Sequence, residues 1–436
     1  MREQLGDEAQ ALFDSLSQPP TVGLRVNTTK LSGAEFDALN TWQSERVPWC
    51  PSGRVLTEET SAGKHPHHAA GLYYLQDPSA MAVAEALAPQ AGDWVLDLAA
   101  APGGKSTHLY SLMQGAGLLV ANDINRNRAS ALVENLERWG AKNILVMNES
   151  VERLAQSWGA CFDRVLLDAP CSGEGMFRKS EAALTMWSEE TVATCAVRQN
   201  ELLAHAAQLV KPGGMLAYST CTLNTDENEE VIEQFLKNHA EFELVRLELS
   251  QTSHGFSSSE PTQHALRLWS HRNVGEGHFV AVLKRTAGRL KRVKQYEPKP
   301  VAKADKILWQ HFCTDTGLNP ERHLARYGDK LYALPAELPD FANLKAVRAG
   351  VQLGELKKGR LEPAHALALS LTKSELKTVP ILELNLEESR RYLQGKVLDA
   401  SGKKGWLVLT LDGFALGWGK RSGSVVKNAY PKSLRR

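Results

Sequence analysis

The chain's 436 residues are 43% hydrophobic and 23% charged, too long for one ordinary core and apolar enough to fold without staples, so two to four domains are expected. Mean hydropathy is −0.31, no apolar run approaches ~18 residues, and Met1-Arg-Glu-Gln lacks a basic-then-apolar leader, which excludes a membrane-spanning helix and points to the cytoplasm. A net charge of +1 by itself predicts no polyanion partner, and the six cysteines at 50, 161, 171, 195, 221 and 313 form no Cys-x-x-Cys pair, which excludes a zinc ribbon and a disulfide framework.

Residues 1–70 read as a small α+β module: a short helix, a strand at Gly23–Asn27, a helix from near Ser32, and strands around Val47 and Val55. His65-Pro66-His67-His68 has neither a paired cysteine nor a His-x-x-x-His face, so packing is expected of it, not metal binding. A helix follows over Ala80–Leu87, and residues 71–285 then alternate as βα units, with strands at Trp94–Leu98, Leu118–Asn122, Asn143–Met147, Arg164–Leu167 and Met215–Ser219. Ala129, Leu132, Val133 and Leu136 make a helical stripe that stops at Gly140. The longest helix is expected from near Ser188 to Val210, closed by Lys211-Pro-Gly-Gly214. Asn224 and Glu227 have capping-box spacing for a helix through about Lys237. Ala265–Trp269 and His278–Leu283 read as an antiparallel pair that closes an α/β sheet.

Beyond the core, Lys284 to Lys306 holds nine Lys/Arg against two acids, and 286–306 is expected to be a basic linker. Residues 307–380 mix helix and strand. Residues 381–436 are strand-rich, with Gly405–Trp418 alternating like a hairpin and six Lys/Arg but no acid after Gly413. Such clusters can hold phosphates through local positive fields while the average stays neutral; charge alone fits a solvated linker and tail equally well.

The chemistry gathers at three strand ends. Asp168-Ala-Pro-Cys171 and Ser219-Thr-Cys-Thr222 each place a cysteine where the chain leaves the sheet, and in a doubly wound sheet such ends face one crevice. Cys50, Cys161, Cys195 and Cys313 are expected to be buried apolar residues. Ala99-Ala-Ala-Pro-Gly-Gly-Lys-Ser106 imitates a P-loop, but Ala99 stands where that motif needs glycine, which disfavours an ATPase. Read instead as a methyltransferase loop, its glycines let the backbone approach the amino-acid end of S-adenosylmethionine. An acid about 20 residues on then takes the ribose hydroxyls, the place of Asp123, and Glu149 is placed to contact adenine.

Ala101-Pro-Gly-Gly-Lys105, Asp168-Ala-Pro-Cys171 and Ser219-Thr-Cys-Thr222, with Gln76-Asp-Pro-Ser-Ala80, Ser172-Gly-Glu-Gly175 and Arg267-Leu-Trp-Ser-His-Arg272, resemble the signature set of the Sun-domain RNA cytosine-C5 methyltransferases. Gly359-Arg-Leu-Glu-Pro-Ala-His365, Leu416-Gly-Trp-Gly-Lys420 and Tyr430-Pro-Lys-Ser-Leu-Arg-Arg436 are similar to the C-terminal modules of the bacterial RsmF-type branch, the last of them PUA-like. Glu149 stands where the family usually carries aspartate, and Ser270 where proline is common. The resemblance implies a Rossmann-like core that binds S-adenosylmethionine through Ala99, Ala100, Ala101, Pro102, Gly103, Gly104, Lys105, Asp123, Glu149 and Asp168. It implies Cys221 as the nucleophile on cytosine C6, Cys171 as the group that assists release, and Asp168 with Lys105 stabilising charge at N3. The implied partner is ribosomal RNA, 16S of the small subunit, free or within a 30S particle or its precursor, with no membrane and no metal. RNA contact is expected from the N-terminal module, the linker and the 381–436 module, where Trp406, Trp418 and Tyr430 are expected mainly to fill a core. Transfer RNA is the rival substrate. A non-catalytic assembly factor is the rival class, and the intact Cys171, Cys221 and Asp168 weigh against it.

Overall fold

The computed structural model describes residues 2–40, 42–58, 60–250, 252–255 and 260–435. The N-terminal strands β1 (Gly23–Val26), β2 (Ser44–Val47), β3 (Cys50–Leu56) and β4 (Tyr73–Leu75) form an antiparallel sheet in the order β2-β3-β1-β4. Ser32 and Glu35 cap the intervening helix reciprocally. The histidine-rich stretch forms the short helix Pro66–Ala69, and His67 Nε2 lies 2.8 Å from Asp412 Oδ2. It is therefore a packing segment between the two ends of the chain.

The core strands β5 (Trp94–Asp97), β6 (Leu118–Asn122), β7 (Ile144–Met147), β8 (Phe162–Asp168) and β9 (Val210–Thr220) run parallel in the order β7-β6-β5-β8-β9. Their near-continuous apolar character follows from burial on both faces. Leu96, Leu145, Val165 and Leu216 pack with Trp158 on one side; Val95, Leu119, Leu166 and Ala217 pack with Leu109, Leu132 and Leu136 on the other. Between β10 (Phe242–Leu244), β11 (Ser253–His254), β12 (Leu266–Leu268) and β13 (His278–Arg285), the antiparallel β12-β13 pair adds beside β9, as the sequence suggested. The chain reverses its winding between β5 and β8, so the ligand crevice of such a sheet lies above those strand ends.

Two local expectations differ from the structure. The long helix spans Glu189–Ala207, and Lys211-Pro-Gly-Gly214 opens β9 instead of closing the helix. The β8-β9 register slips there, and Gly213, at φ +80°, lets the chain bulge where Pro212 has no N–H to pair.

The C-terminal third is woven into the rest. Of β14 (Leu324–Tyr327), β15 (Lys330–Ala333), β16 (Ala346–Ala349), β17 (Val351–Lys357) and β18 (Arg360–Pro363), four form a sheet, β14-β15-β17-β18, while β16 joins the core antiparallel to β7. Helix Lys303–Thr316 begins inside the basic stretch 286–306. The last sheet is β19 (Ile381–Glu383), β20 (Leu398–Asp399), β21 (Gly405–Leu411), β22 (Phe414–Ser422) and β23 (Val425–Asn428), in the order β19-β21-β22-β23-β20. Its β21-β22 hairpin turns through Asp412 and Gly413, both at positive φ, the geometry that suits the sheet's twist. Leu407, Leu409 and Leu416 share a core with Leu24 and Val26. Trp418 is buried and donates Nε1–H to the Ala364 carbonyl, and Tyr430 is buried too. Among the described residues no helix is long and apolar enough to cross a membrane.

Candidate active site

The loop after β5 leads into helix Gly104–Leu112, with Gly103 at φ +115° as its N-cap. A side chain at Gly103 would be strained and would meet Leu132 Cδ1 at 3.1 Å. The loop is tied down from three sides. Ala100 N–H donates to the Asn122 carbonyl at 2.8 Å, Asn135 Nδ2 donates to the Pro102 carbonyl at 2.6 Å, and Ser106 Oγ donates to Asp97 Oδ2 at 2.6 Å. Asp123, at the end of β6, is buried, with Oδ1 accepting from Asn125 N–H at 2.8 Å and Oδ2 from Ala101 N–H at 3.3 Å. Glu149 lies past β7, where its Oε1 accepts from Lys345 N–H at 2.9 Å, so this acid also fastens the segment leading into β16.

Asp97, Asp123 and Asp168 thus end three neighbouring strands around one backbone loop. Asp97 Oδ1 is buried with no hydrogen-bond partner among the described residues. This acidic floor fits a ligand bearing an ammonium and a sulfonium, as S-adenosylmethionine does. Burial pushes the Asp97 carboxyl up to about 7, above its unfolded value of about 3.9. The stability this group contributes is therefore full below about pH 4 and is lost as pH rises through about 7. Asp97→Asn is expected to gain melting temperature relative to the parent between pH 5 and pH 8, measured without cofactor; a constant difference contradicts that assignment.

Beyond β8 and β9 the two expected thiols meet: Cys171 Sγ and Cys221 Sγ are 3.4 Å apart. Lys105 Nζ donates to Asp168 Oδ2 at 2.8 Å, and Ser219 Oγ donates to Oδ1 at 2.7 Å. Burial alone would raise the Asp168 carboxyl, but the Lys105 ammonium beside it holds it well below the usual carboxylate range. The thiols are split in opposite directions. The Cys171 S–H, with help from Lys105, pulls Cys221 below the ordinary thiol value despite burial and the Asp168 charge. The hydrogen bond to Cys221 and burial push Cys171 well above it. Burial pushes Cys50, Cys161 and Cys313 up to about 12 and raises Cys195. Cys221 alone among the six is biased toward the thiolate, the reactive form.

Two buried acids set the thiol loops, and sequence reasoning missed both. Glu174 Oε2 accepts from Thr222 Oγ1, Leu223 N–H and Asn224 N–H at 2.9, 2.7 and 2.9 Å. Glu227 accepts from Ser172 N–H at 3.0 Å and from Gln199 Nε2 at 2.8 Å. The Asn224–Glu227 contact exists, but the helix starts later, at Glu229, and the Asn224 N–H that would close a capping box goes to Glu174 instead. The loop after each cysteine is held by an acid from the other side. Gly175 N–H donates to the Cys221 carbonyl at 2.8 Å, and a Cβ on Gly175 would sit 2.7 Å from that oxygen.

Away from this pocket, Cys50, Glu85 and His108 converge at the joint between the first sheet and the core, with His108 Nε2 at 3.0 Å from Glu85 Oε1 and 3.8 Å from Cys50 Sγ. The buried Arg25 guanidinium beside them offsets the Glu85 charge.

A glycine loop and buried acids at the switch point of this sheet, with a polarised thiol pair beside them, define an S-adenosylmethionine-dependent methyltransferase. Family models agree along the chain: 16S rRNA methyltransferase RsmB/F matches residues 84–284, the N-terminal domain of 16S rRNA methyltransferase RsmF matches 1–78, the RsmF first C-terminal domain matches 311–371, and the methyltransferase RsmF PUA domain matches 379–436. Ribosomal RNA small subunit methyltransferase F of Shewanella sp. (strain ANA-3) is 33% identical over 96% of this chain and 92% of its own length; the protein so named from Aeromonas salmonicida (strain A449) is 33% identical over 96% and 92%. Among solved structures, a methyltransferase homolog protein from Pyrococcus horikoshii superposes with a TM-score of 0.58 at 34% identity, covering 65% of this chain and 92% of that one. NSun6 from Pyrococcus horikoshii with SFG shares the fold, with a TM-score of 0.55 at 21% identity over 66% and 97%. The chain belongs to the 16S rRNA methyltransferase RsmB/F family, in its RsmF branch. Its reaction is the S-adenosylmethionine-dependent methylation of cytosine C5 in ribosomal RNA.

Proposed function

We propose that Cys221 is the nucleophile of this reaction and Cys171 the group that ends it, acting on a cytosine of 16S ribosomal RNA in the cytoplasm. The observation that carries this reading is the 3.4 Å separation of the two sulfurs beside the Lys105–Asp168 pair. Cytosine C5 is too weak a nucleophile to take a methyl group unaided, so the Cys221 thiolate adds to C6 and makes C5 enamine-like. Asp168, ionised and therefore only an acceptor, takes a hydrogen bond from the exocyclic amine, while Lys105 donates to N3 as charge develops there. S-adenosylmethionine, held by residues 99–105, Asp123, Glu149 and Asp168, supplies an electrophilic methyl on a positively charged sulfur. Glu149 offers that ligand its second oxygen, since the first is engaged by Lys345. Once the C6–S bond has consumed the Cys221 charge, the main cause that raised Cys171 is gone. Cys171 can then give up its proton to the surroundings and take the C5 proton as a thiolate. The C5–H electrons re-form the C5–C6 double bond and Cys221 leaves as a thiolate, so the cycle releases one proton. These steps draw on thiols, a carboxylate and an ammonium, and call on no metal ion.

Extracting a paired base costs a few kcal/mol, which further RNA contact offsets. The first sheet, the basic stretch 286–306 and the last module are the proposed contact surfaces, with exposed Lys420 over the half-buried Trp406 ring at 5.1 Å as one element. Transfer of labelled methyl to naked 16S RNA, to 30S particles and to transfer RNA, with bisulfite mapping of RNA from a deletion strain, tests the substrate. Loss of 16S cytosine methylation in the strain is expected, and loss confined to transfer RNA contradicts the reading.

A further inference from the structure

His278, the first residue of β13, has a role that the thiol chemistry does not account for. Ser219 pairs with Val280 on one side and Asp168 on the other. Side chains alternate along a strand, so His278, two residues from Val280, shares the face of Ser219 and Asp168. The residue is 5% exposed. Its Nδ1 lies 3.1 Å from the Gly277 carbonyl oxygen, and its Nε2 lies 3.8 Å from Asp168 Oδ1 with no hydrogen-bond partner among the described residues. The other charged groups acting on it are Lys105, from helix Gly104–Leu112, and Asp77, ahead of helix Pro78–Leu87 and itself paired with Lys179 at 2.8 Å.

Both ring nitrogens therefore face acceptor oxygens. A neutral imidazole has one N–H, so whichever nitrogen carries it, the other aims a lone pair at an oxygen. The imidazolium would satisfy both contacts, but burial and the Lys105 charge oppose it. A buried nitrogen left in this way is costly. A phenyl ring would occupy the same strand position without that cost. A short closure onto Asp168 with the proton on Nε2 would give the buried Nε2 its partner and leave Nδ1, at the Gly277 carbonyl, as the nitrogen without a proton.

We propose that His278 is a positioning residue for Asp168, closing as a third donor, through Nε2–H, on the carboxylate that Ser219 and Lys105 already hold. With that donor in place, Oδ1 is kept from swinging after the cytosine amine as charge builds on the ring. The proposal rests on the assignment of Asp168 to the base, and Asp168→Asn run alongside separates the two. A parental rate in Asp168→Asn refutes the assignment, whereas a slow Asp168→Asn with a parental-rate His278→Phe refutes only the role of His278.

Steady-state methylation of 16S RNA by His278→Phe and His278→Gln tests it. His278→Phe is expected to lower kcat about tenfold while KM for S-adenosylmethionine stays within about twofold. His278→Gln, whose amide N–H can reach the same oxygen, is expected to stay within about threefold of the parent. A parental kcat in His278→Phe, equal losses in both variants, or a loss that falls on cofactor affinity would each overturn the proposal. A measurement independent of variant folding is the ring nitrogen shifts of His278 in ¹⁵N-histidine-labelled enzyme. With RNA bound the proton should sit on Nε2, and a proton that remains on Nδ1 overturns the role.

Discussion

Cys221→Ala is expected to lower methyl transfer to ribosomal RNA by on the order of 10³-fold or more, the scale on which removal of an essential nucleophile acts. The size follows from the chemistry: without a bond at C6, the ring carbon at C5 has no enamine character, and no neighbouring group substitutes. Cys171 lies within 3.4 Å but its thiol is held protonated, and the loop that carries it is fixed by Glu227. Serine at 221 should do no better than alanine, because its hydroxyl does not ionise in this range. Affinity for S-adenosylmethionine, measured by calorimetry, should remain near parental, since the glycine loop is fastened to β6 and to Asp97 and not to the thiol. A parental rate in this variant would mean that another group attacks C6.

The Cys171→Ala variant is expected to do something different: to trap RNA. In the proposed mechanism, addition to C6 and methylation at C5 draw on Cys221, Asp168 and Lys105, all of which remain, whereas the step that strips the C5 proton loses its base. The covalent complex should then accumulate and survive denaturing electrophoresis as a slow band that ribonuclease collapses. The variant carries a second signature. Cys171 is the largest single cause of the lowered Cys221 thiol, so its removal lets Cys221 rise toward its ordinary value. Adduct formation should consequently be slower at pH 7 than in the parent and should increase as pH is raised toward 9, where the thiolate becomes populated. A variant that turns over at the parental rate and leaves no band would remove Cys171 from the release step.

The thiol pair was legible because strand-end cysteines followed by polar residues are placed by topology alone: β8 and β9 are adjacent and parallel, so residues just past Asp168 and Ser219 fall into one crevice. The parallel core was legible for the same kind of reason, apolar strands separated by capped helices. The acids that set the thiol loops were not. Glu174, inside Ser172-Gly-Glu-Gly175, reads locally as a turn residue, and only the fold reveals that its Oε2 collects the N–H groups that follow Cys221. Glu227 has the spacing of a capping residue and makes that contact, yet its carboxylate is spent on the other loop, a choice made by residues over fifty positions away. His278 looked like an ordinary strand residue, since nothing in its neighbours announces Asp168. The β16 strand, Ala346-Val-Arg-Ala349, is short and carries no pattern of its own; it becomes a strand because β7 offers an open edge. In the same way the buried Trp418 and Tyr430 could be weighed as core residues from alternation, but not that the last sheet would share its core with β1.

Sulfur-to-carbon attachment is best tested by identifying the attached residue. The trapped complex of Cys171→Ala with ribosomal RNA can be digested to a peptide–nucleotide adduct and sequenced by mass spectrometry. The expected result is a cytidine carrying one added methyl group, linked to the peptide that contains Cys221. A nucleotide on any other residue, or an adduct whose mass lacks the methyl group although S-adenosylmethionine was present, would contradict the account.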